Sequence, residues 1–510
     1  MTLRKFRTAA LTGATTVLAL AGLLVGASPA AAATCNSPVR YASTSDTIYV
    51  SGGTAVDTLT EIKAACPSAP LTQVSPGVWD LNADLVLQGG ATLTLNRAGD
   101  VQTLHLQSLP SGLATDVSAL TAQYGQINIT GVTVTSWTGT GPDTDYAVPA
   151  GGTRGRAFIR ALSVMEGGTP RTSTMNIVDS DLGYLGYNGA EAYGVAYKAR
   201  GCGIDAQNIC AVLDVGGKET GSRFHDNFMG TYTWGAQDIL FDRNTYSKNK
   251  SYGLDPRDDS DHLTITNNVF SENSNHGLIC SQRCDHLIIK NNKALNNGHT
   301  PYVGPGDDDP SDNQVHGIML HRGITDTVVE DNDVRGQVNG GGIVVFDSIG
   351  NTVRGNRIDG NKYGLRFSVG TRDLVVADNT IINSTGNALS TFKGTDSPVY
   401  TGTSGRPSGI TFTGNTFDGA GLELFKVQDS DSFTFTGGSI TPGAPARGPK
   451  FERSTKNTYD RSVGTPAGTT FTLRGTSAQR TDVQFRGIAP AALVVSKDSF
   501  STATFTAAQG

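Results

Sequence analysis

Five residues in three nearby segments carry the side chains needed for proton transfer beside a negatively charged group. Tyr252, Asp255 and Arg257 lie close together, and His276 and His316 each precede a glycine, as Tyr252 does. Histidine, tyrosine and carboxyl groups move protons, and arginine pairs with carboxylates. This set predicts acid–base chemistry on an anionic substrate, provided that the fold brings the three segments together.

A repeat of twenty-odd residues is the feature that would bring them together. A glycine followed by an apolar residue recurs with spacings of 23, 24, 40, 25 and 22, at Gly230, Gly253, Gly277, Gly317, Gly342 and Gly364. Asparagine recurs with spacings of 24, 24, 40, 24 and 23, at Asn244, Asn268, Asn292, Asn332, Asn356 and Asn379. Both columns lengthen where residues 298–314 are inserted. A fixed period with one inserted loop is typical of a solenoid.

Each repeat alternates apolar and polar residues with a period of two, as in Ile239 and Phe241 or Leu263 and Ile265. This period indicates short strands with one buried face, and three strands per repeat leave no room for a helix. A leucine-rich-repeat consensus is absent. We therefore predict an all-β, right-handed parallel β-helix, in which the asparagines stack as an internal amide ladder.

The chain divides into four predicted segments. Residues 1–33 have a basic start, an apolar run and a small-residue exit, which is typical of a secretory signal peptide, with a membrane anchor as the alternative. Residues 34–150, with a short helix at Thr58–Ala65, form an N-terminal cap and the first coils. Residues 151–395 form the catalytic β-helix, and residues 396–510 form irregular C-terminal coils and a cap, because solenoid ends expose strand edges. The predicted location is secreted and extracellular.

The net charge of the protein limits the classes of molecule that it can bind. The formal net charge is -6, and removal of Arg4, Lys5 and Arg7 with the signal makes it about -9. Such a protein does not attract polyanions through its overall field, so nucleic acid is excluded as the main partner and an acidic polymer needs a local basic groove. We expect no membrane contact after signal removal, and a monomer.

All six cysteines follow the signal segment. Export implies an oxidising compartment, so we expect three disulfides between near neighbours: Cys35–Cys66, Cys202–Cys210 and Cys280–Cys284. Free thiols or metal ligation are the alternatives, and the absence of a CxxC spacing argues against zinc.

Stacked coils would place equivalent residues about 4.8 Å apart, so outward side chains form columns on one face. The same face gathers further polar and aromatic residues, for which surface positions are the alternative. We expect these to bind substrate: His225, Tyr232, Trp234, Arg283, His321 and Arg322.

Three segments carry a family resemblance that covers roughly residues 155–385. They read Tyr252-Gly-Leu-Asp-Pro-Arg257, His276-Gly-Leu-Ile279 and His316-Gly-Ile-Met-Leu-His-Arg322. They resemble the β-helical mannuronan (alginate) C5-epimerases of the periplasmic bacterial type, which are related to β-helix polysaccharide lyases. The resemblance implies a secreted enzyme that takes an acidic polysaccharide such as alginate. It would abstract the C5 proton of mannuronate residues and epimerise them to guluronate.

One departure from the family changes the expected roles. The position of the family's motif histidine, regarded there as the base, is Arg257, and arginine stays protonated at neutral pH. We expect Arg257 to neutralise the sugar carboxylate with help from Arg283 or Arg322. His276 is the preferred base and His316 the second choice; Tyr252 is expected to be the acid, and Asp255 is expected to orient Arg257 or Tyr252.

Alternative activities remain open at this point. A polysaccharide lyase shares the first steps, a non-catalytic carbohydrate-binding β-helix shares the fold, and a glycoside hydrolase needs two facing carboxylates. No cofactor is expected. Ca²⁺ is conceivable at Asp307-Asp308-Asp309 in the inserted loop, where a solvated acidic loop or a wall of the groove is the alternative.

Overall fold

The computed structural model describes residues 35–52, 56–108, 117–144, 155–301, 315–402, 404–443 and 447–507. Over these residues the chain winds as a right-handed parallel β-helix built from three long sheets. Parallel strands pair from coil to coil, so that Leu278 pairs with Leu254 on one side and Ile318 on the other. The predicted fold class is confirmed.

The first sheet, called here the groove sheet, has 18 strands. They are Val39–Ala42, Thr47–Val50, Asp84–Leu87, Ala119–Gln123, Phe158–Glu166, Thr169–Arg171, Gly194–Ala199, Met229–Trp234, Leu254–Arg257, Leu278–Ser281, Ile318–His321, Gly341–Phe346, Tyr363–Ser368, Leu389–Phe392, Phe425–Gln428, Lys450–Glu452, Thr470–Arg474 and Val494–Lys497.

The second sheet has 14 strands. They are Leu71–Ser75, Val78–Leu81, Thr103–Gln107, Thr133–Trp137, Asp181–Gly183, Arg223–His225, Thr245–Ser247, Val269–Ser271, Lys293–Leu295, Asp333–Arg335, Arg357–Asp359, Thr380–Ser384, Thr416–Ala420 and Ser439–Thr441.

The third sheet has 15 strands. They are Ala91–Asn96, Gly125–Thr130, Ser173–Val178, Val215–Thr220, Leu240–Asp242, Thr264–Thr266, Ile288–Lys290, Val328–Glu330, Thr352–Arg354, Val375–Ala377, Thr411–Thr413, Thr434–Thr436, Asn457–Asp460, Thr481–Arg486 and Ser501–Thr506.

The predicted asparagine ladder is present at the turn between the third and second sheets. The backbone N–H of Asn268 donates to Oδ1 of Asn292 at 2.9 Å, and the side-chain amide of Asn268 donates to the same oxygen and to the Phe241 carbonyl. A second ladder, through Asn249 and Asn273, runs along the turn before the groove sheet. The two ladders satisfy buried backbone groups at two corners and hold the coils in register.

The ends of the solenoid differ from its middle. The predicted helix is confirmed as Leu59–Ala65, with a capping box between Thr58 and Glu61. At the other end, stacked aromatic rings fill the narrowing core, as in the pair Phe412 and Phe435, whose ring centroids are 4.5 Å apart. A further short helix, Gln207–Cys210, and a 3₁₀ turn, Pro490–Ala492, lie in loops. In the described ranges, every helix is too short to cross a bilayer.

Two of the three expected disulfides are present, Cys35–Cys66 and Cys202–Cys210. The expected Cys280–Cys284 bridge is wrong, because both residues are free and buried. Cys280 faces the core in register with Leu320 and fills an apolar position, where a thiol packs as a small hydrophobic group.

The predicted signal segment and the Asp307-Asp308-Asp309 loop lie outside the described residues.

Candidate active site

The outer face of the groove sheet carries three columns of side chains, because parallel pairing holds equivalent residues in register about 4.8 Å apart. The leading column lies just before or at the first residue of the strands and contains Tyr252, His276, His316, Gly341 and Tyr363. The middle column contains Tyr232, Asp255, Ile279, Met319, Val344 and Arg366. The trailing column contains Trp234, Arg257, Ser281, His321 and Phe346.

The structure brings the five predicted catalytic residues to this face. The rings of Tyr252 and His276 lie 5.2 Å apart and nearly parallel, and the rings of His276 and His316 lie 5.1 Å apart. Asp255 and Arg257 project from the strand that follows Tyr252. The glycines after these rings let neighbouring coils approach closely: a Cβ at Gly277 would lie 2.8 Å from the Gly317 carbonyl oxygen.

Backbone hydrogen bonds determine which nitrogen of each histidine faces the groove. The amide N–H of His316 donates to Nδ1 of His276 at 3.0 Å, and the amide N–H of Gly341 donates to Nδ1 of His316 at 2.8 Å. An Nδ1 that accepts a hydrogen bond carries no proton, so each neutral imidazole carries its proton on Nε2. Both histidines therefore present an N–H donor.

The Nε2–H donor of His276 is unusual because it is buried and unpaired. The side chain is 1% exposed, and its Nε2 is buried without a hydrogen-bond partner. Burial, together with the nearby His321, lowers the pKa of His276 to about 3. The imidazole is thus neutral at ordinary pH, and its unsatisfied N–H is a donor that a substrate oxygen can satisfy.

Asp255 carries an acidic group that, like His276, has a buried polar atom without a hydrogen-bond partner. It is 1% exposed, and its Oδ1 is buried without a hydrogen-bond partner. Burial raises the pKa of Asp255 to about 7, although the charge of Arg257 and a hydrogen bond from Ser281 oppose that rise. A carboxyl group with this pKa exchanges protons readily near neutral pH.

Arg257 supplies positive charge at the edge of the same site. Its Nε lies 3.0 Å from Oδ2 of Asp258, its side chain is 40% exposed, and its guanidinium carbon lies 5.9 Å from the Trp234 ring. Burial lowers its pKa, but Asp255, Tyr232 and Asp258 outweigh burial and raise it. Arg257 is therefore a permanent cation that keeps part of its surface free for an anion.

An apolar patch separates Asp255 from the far end of the groove. Ile279, Met319 and Val344 pack together on the outer face, with Tyr252 and Phe346 against them. Our sequence reasoning overlooked this patch, although continuing the column of Tyr232 and Asp255 by one repeat at a time would have found it. Apolar side chains on an outer sheet face suit the apolar faces of sugar rings.

The expected substrate-binding aromatics lie on strand Met229–Trp234, in the coil before Asp255. Tyr232 is buried among Phe228 and Met229. Trp234 donates from Nε1 to the Cys202 carbonyl at 2.7 Å and lies beneath Lys198, whose Nζ is 4.2 Å from the ring centroid. Tyr232 therefore packs beneath the surface of the groove face. Trp234 connects that face to the loop closed by the Cys202–Cys210 disulfide.

His225 does not join this group. It belongs to the second sheet, in strand Arg223–His225, with Nε2 2.9 Å from Asp181 and Nδ1 2.7 Å from Asp226. Although burial lowers its pKa, these carboxylates outweigh burial and raise it. Both ring nitrogens are occupied by the protein.

The three remaining predicted residues, Arg283, Arg322 and His321, engage protein partners. Arg283 contacts Asp258 at 2.6 Å and Asp259 at 3.0 Å. Arg322 pairs with Asp396 at 2.9 Å and donates from Nε to Nε2 of His321 at 3.3 Å. The two arginines thus hold the turn beyond the trailing column. Burial, Arg322 and Arg257 lower the pKa of His321 to about 3, which keeps it neutral beside Arg257.

Two loops wall the trailing side of the groove, and neither was expected. Residues 393–402 fold back across earlier coils, where the buried carboxylate of Asp347 accepts hydrogen bonds from the backbone N–H groups of Val399 and Thr401. The disulfide loop of Cys202–Cys210 reaches the same region, where Gln207 donates to Asp259 at 3.1 Å.

Potential metal ligands in the described part of the chain lie away from the leading and middle columns. One group combines Asp259 with Cys202 and Cys210, whose sulfurs form a disulfide. The other joins His262, Asp285 and His286 on an exposed turn beside the third sheet. Neither group places a ligand beside Asp255 or His276.

Comparison with known proteins agrees with this architecture. The family description "Right handed beta helix region" matches residues 187–307 and 306–440. The mannuronan C5-epimerase of Pseudomonas aeruginosa is 27% identical over 225 residues, which cover 43% of this chain and 36% of that protein. The mannuronan C5-epimerase of Pseudomonas putida is 26% identical over 315 residues, which cover 60% of this chain and 52% of that protein. The matched region spans about a third to a half of these relatives.

A solved structure shares the fold over most of the chain. The crystal structure of the periplasmic alginate epimerase AlgG superposes with a TM-score of 0.61 at 20% identity, covering 82% of this chain and 85% of that one.

Proposed function

We propose that this right-handed parallel β-helix protein, which is similar to mannuronan C5-epimerases, epimerises uronate residues at C5 within a polysaccharide such as alginate. One observation carries the proposal. Two buried and unsatisfied groups of opposite kind, Oδ1 of Asp255 and the Nε2–H of His276, lie on one groove face beside the cation Arg257.

Binding of the sugar carboxylate is the first step. A C5 proton becomes acidic when negative charge that develops on the C6 carboxylate is stabilised. Arg257 supplies a full positive charge, and the Nε2–H groups of His276 and His316 supply neutral donors. The unsatisfied donor of His276 favours a carboxylate oxygen.

Proton removal is assigned to Asp255 rather than to His276. Nδ1 of each histidine accepts a hydrogen bond from a backbone N–H, and Nε2 carries the proton. Neither ring therefore has a basic nitrogen free for the groove. Asp255 has a free oxygen and a pKa raised by burial to about 7. Its carboxylate takes the C5 proton, and the C5–H electron pair moves toward the C6 carboxylate held by Arg257.

Reprotonation is assigned to Tyr252. Its ring stacks on His276 in the leading column, which runs beside the middle column that carries Asp255. The phenol gives its proton to the opposite face of C5, and the new C5–H bond has inverted configuration. Asp255 and Tyr252 then return to their starting protonation through solvent.

The cellular compartment is inferred from the same similarity to alginate epimerases. We infer that the protein works outside the cytoplasm, either secreted as its first residues predict or in the periplasm. Two disulfides suit an oxidising compartment.

The test is incubation of the mature protein with polymannuronate in D₂O, followed by proton NMR. We expect guluronate signals and deuterium at C5 of the converted residues, with Asp255→Asn as the inactive control. Unsaturated chain ends that absorb in the ultraviolet would instead identify a lyase. Polymannuronate with neither new signals nor deuterium would end the proposal for this substrate, and polyguluronate and glucuronan would be tested next.

A further inference from the structure

The middle column continues past Arg366 through Ser390 and Lys426, and Arg366 itself contacts two aromatic rings but no acid among the described residues. In the described part of the chain it makes no ion pair and no side-chain hydrogen bond, unlike Arg257, Arg283 and Arg322. Its guanidinium carbon lies 5.2 Å from the Tyr363 ring and 4.7 Å from the Phe392 ring. Burial lowers its pKa. A cation that is kept largely from water without an acid beside it is costly unless an anion arrives from outside.

The leading column has a glycine, Gly341, beside Arg366, and the side chain of Val344 closely covers it. The leading column places Gly341 between His316 and Tyr363, so one side chain of the column is missing. A Cβ at Gly341 would lie 2.6 Å from Cγ2 of Val344 and 3.8 Å from Cβ of Arg366. The backbone N–H of Gly341 donates to Nδ1 of His316, so the neutral imidazole carries its proton on Nε2 in the coil before Arg366.

Arg366 lies far from Asp255 along the groove sheet. Arg366 and Asp255 stand four coils apart in one column, a separation of about 19 Å. The apolar patch of Ile279, Met319 and Val344 fills the interval without a charged group. Arg257 and Arg366 are thus two cationic positions on the groove face with an apolar floor between them.

We propose that Arg366, with Tyr363 and Phe392, forms a remote subsite that binds the carboxylate of a uronate residue several sugars away from the reacting one. The guanidinium takes the carboxylate through two parallel N–H donors, and the two aromatic rings take the faces of the sugar. The subsite rests on the proposed function for its ligand, and it makes the enzyme prefer long acidic chains over short ones.

The kinetic test compares Arg366→Gln with wild type on polymannuronate and on oligomers too short to reach from Asp255 to Arg366. We expect KM for the polymer to rise about tenfold with kcat within about twofold, because a charge-assisted pair is lost far from the reacting atoms. KM for the short oligomers should not change. The matched control is Arg354→Gln, which removes an exposed arginine that pairs with Glu330 on the third sheet. An unchanged KM for the polymer in Arg366→Gln would overturn the subsite.

A stability measurement separates a subsite from a structural role. Loss of an unpaired, largely buried charge should leave the melting temperature of Arg366→Gln equal to or above that of wild type. A clear fall would assign Arg366 to folding instead.

A binding measurement keeps the two proposals apart. Affinity of each protein for polymannuronate is measured by calorimetry without reference to turnover, with a neutral mannan as the uncharged control. If wild type binds the polymer but does not convert it, the proposed activity fails, while about tenfold weaker binding by Arg366→Gln still supports the subsite. Equal binding by both proteins would reject it.

Discussion

The backbone N–H of His316 donates to Nδ1 of His276 across one coil, at 3.0 Å. The next coil repeats this bond from Gly341 to His316. The stacking of the solenoid therefore fixes the tautomer of both rings, and each one faces the groove as a neutral N–H donor. In the proposed reaction, the two histidines stabilise negative charge and Asp255 is the group that titrates.

The first prediction concerns His276. Replacement by alanine removes one preorganised donor and should lower kcat/KM about 10²-fold, as the loss of a single donor does in other enzymes that stabilise anions. His276→Gln keeps a side-chain N–H and should recover part of that loss. Because the pKa of His276 is about 3, neither variant should shift the pH profile between pH 5 and 9. A profile limb that disappears in His276→Ala would identify the histidine as the base after all.

The second prediction concerns the pH dependence of activity. Asp255 must be ionised to accept the C5 proton, and its pKa is about 7. We expect kcat/KM to rise with pH through a single ionisation near pH 7 and then to level off. Asp255→Asn should lose activity at every pH. A flat profile from pH 5 to 9 would exclude Asp255 as the base.

The same residue links pH to stability. Burial raises the pKa of Asp255 from 3.8 to about 7, so the folded protein favours the protonated form. Its contribution is fully favourable below pH 4 and is lost as pH rises toward 7, by up to about 1.4 kcal/mol per pH unit. Asp255→Asn should therefore match wild type in free energy of unfolding near pH 4 and exceed it at pH 8. Urea titrations at the two pH values measure the difference.

Periodicity in the sequence was enough to predict the solenoid, the asparagine ladder and the grouping of Tyr252, Asp255 and His276. A parallel β-helix converts repeat spacing directly into stacking, so residues 24 positions apart become neighbours. The helix at Leu59–Ala65 was also predictable, since Thr58 and Glu61 form a local capping signal.

Pairings set by turns and loops could not be predicted in this way. Whether Arg283 is free depends on Asp258 and Asp259 and on Tyr400, whose hydroxyl accepts from Arg283 at 3.1 Å across 117 residues of sequence. The roles expected for His276 and Arg283 assumed free side chains. A backbone hydrogen bond and a pair of carboxylates change those roles, and no repeat pattern reports either contact.

The third prediction concerns the free thiols. Cys280 and Cys284 are both buried, and burial raises the pKa of the Cys284 thiol well above its usual range, which suppresses the reactive thiolate. The folded protein should therefore resist thiol reagents, and the unreduced protein in denaturant should titrate two thiols per chain. Six protected sulfurs in denaturant would instead show that the third bridge forms.

The fourth prediction concerns Glu219, a carboxyl group in the core of the solenoid. It is fully buried, and it accepts hydrogen bonds from Thr231 at 3.0 Å and from the Tyr246 hydroxyl at 2.7 Å. Burial raises its pKa from 4.5 to about 8, although the hydroxyl groups lower it in part. The folded protein therefore favours protonated Glu219, and its contribution to stability is lost as pH rises from 4.5 through 8.

Glu219→Gln keeps an oxygen acceptor and cannot ionise, so it should remove this pH dependence. We expect the variant to equal wild type near pH 4.5 and to gain on it by up to about 1.4 kcal/mol for each pH unit up to 8, with no further gain above that pH. Glu330→Gln, at a paired position on the outer face of the third sheet, controls for the loss of one charge. If Glu219→Gln and wild type kept a constant difference in free energy of unfolding from pH 5 to 9, Glu219 would have an ordinary pKa, and the core would be holding a carboxylate in its charged form.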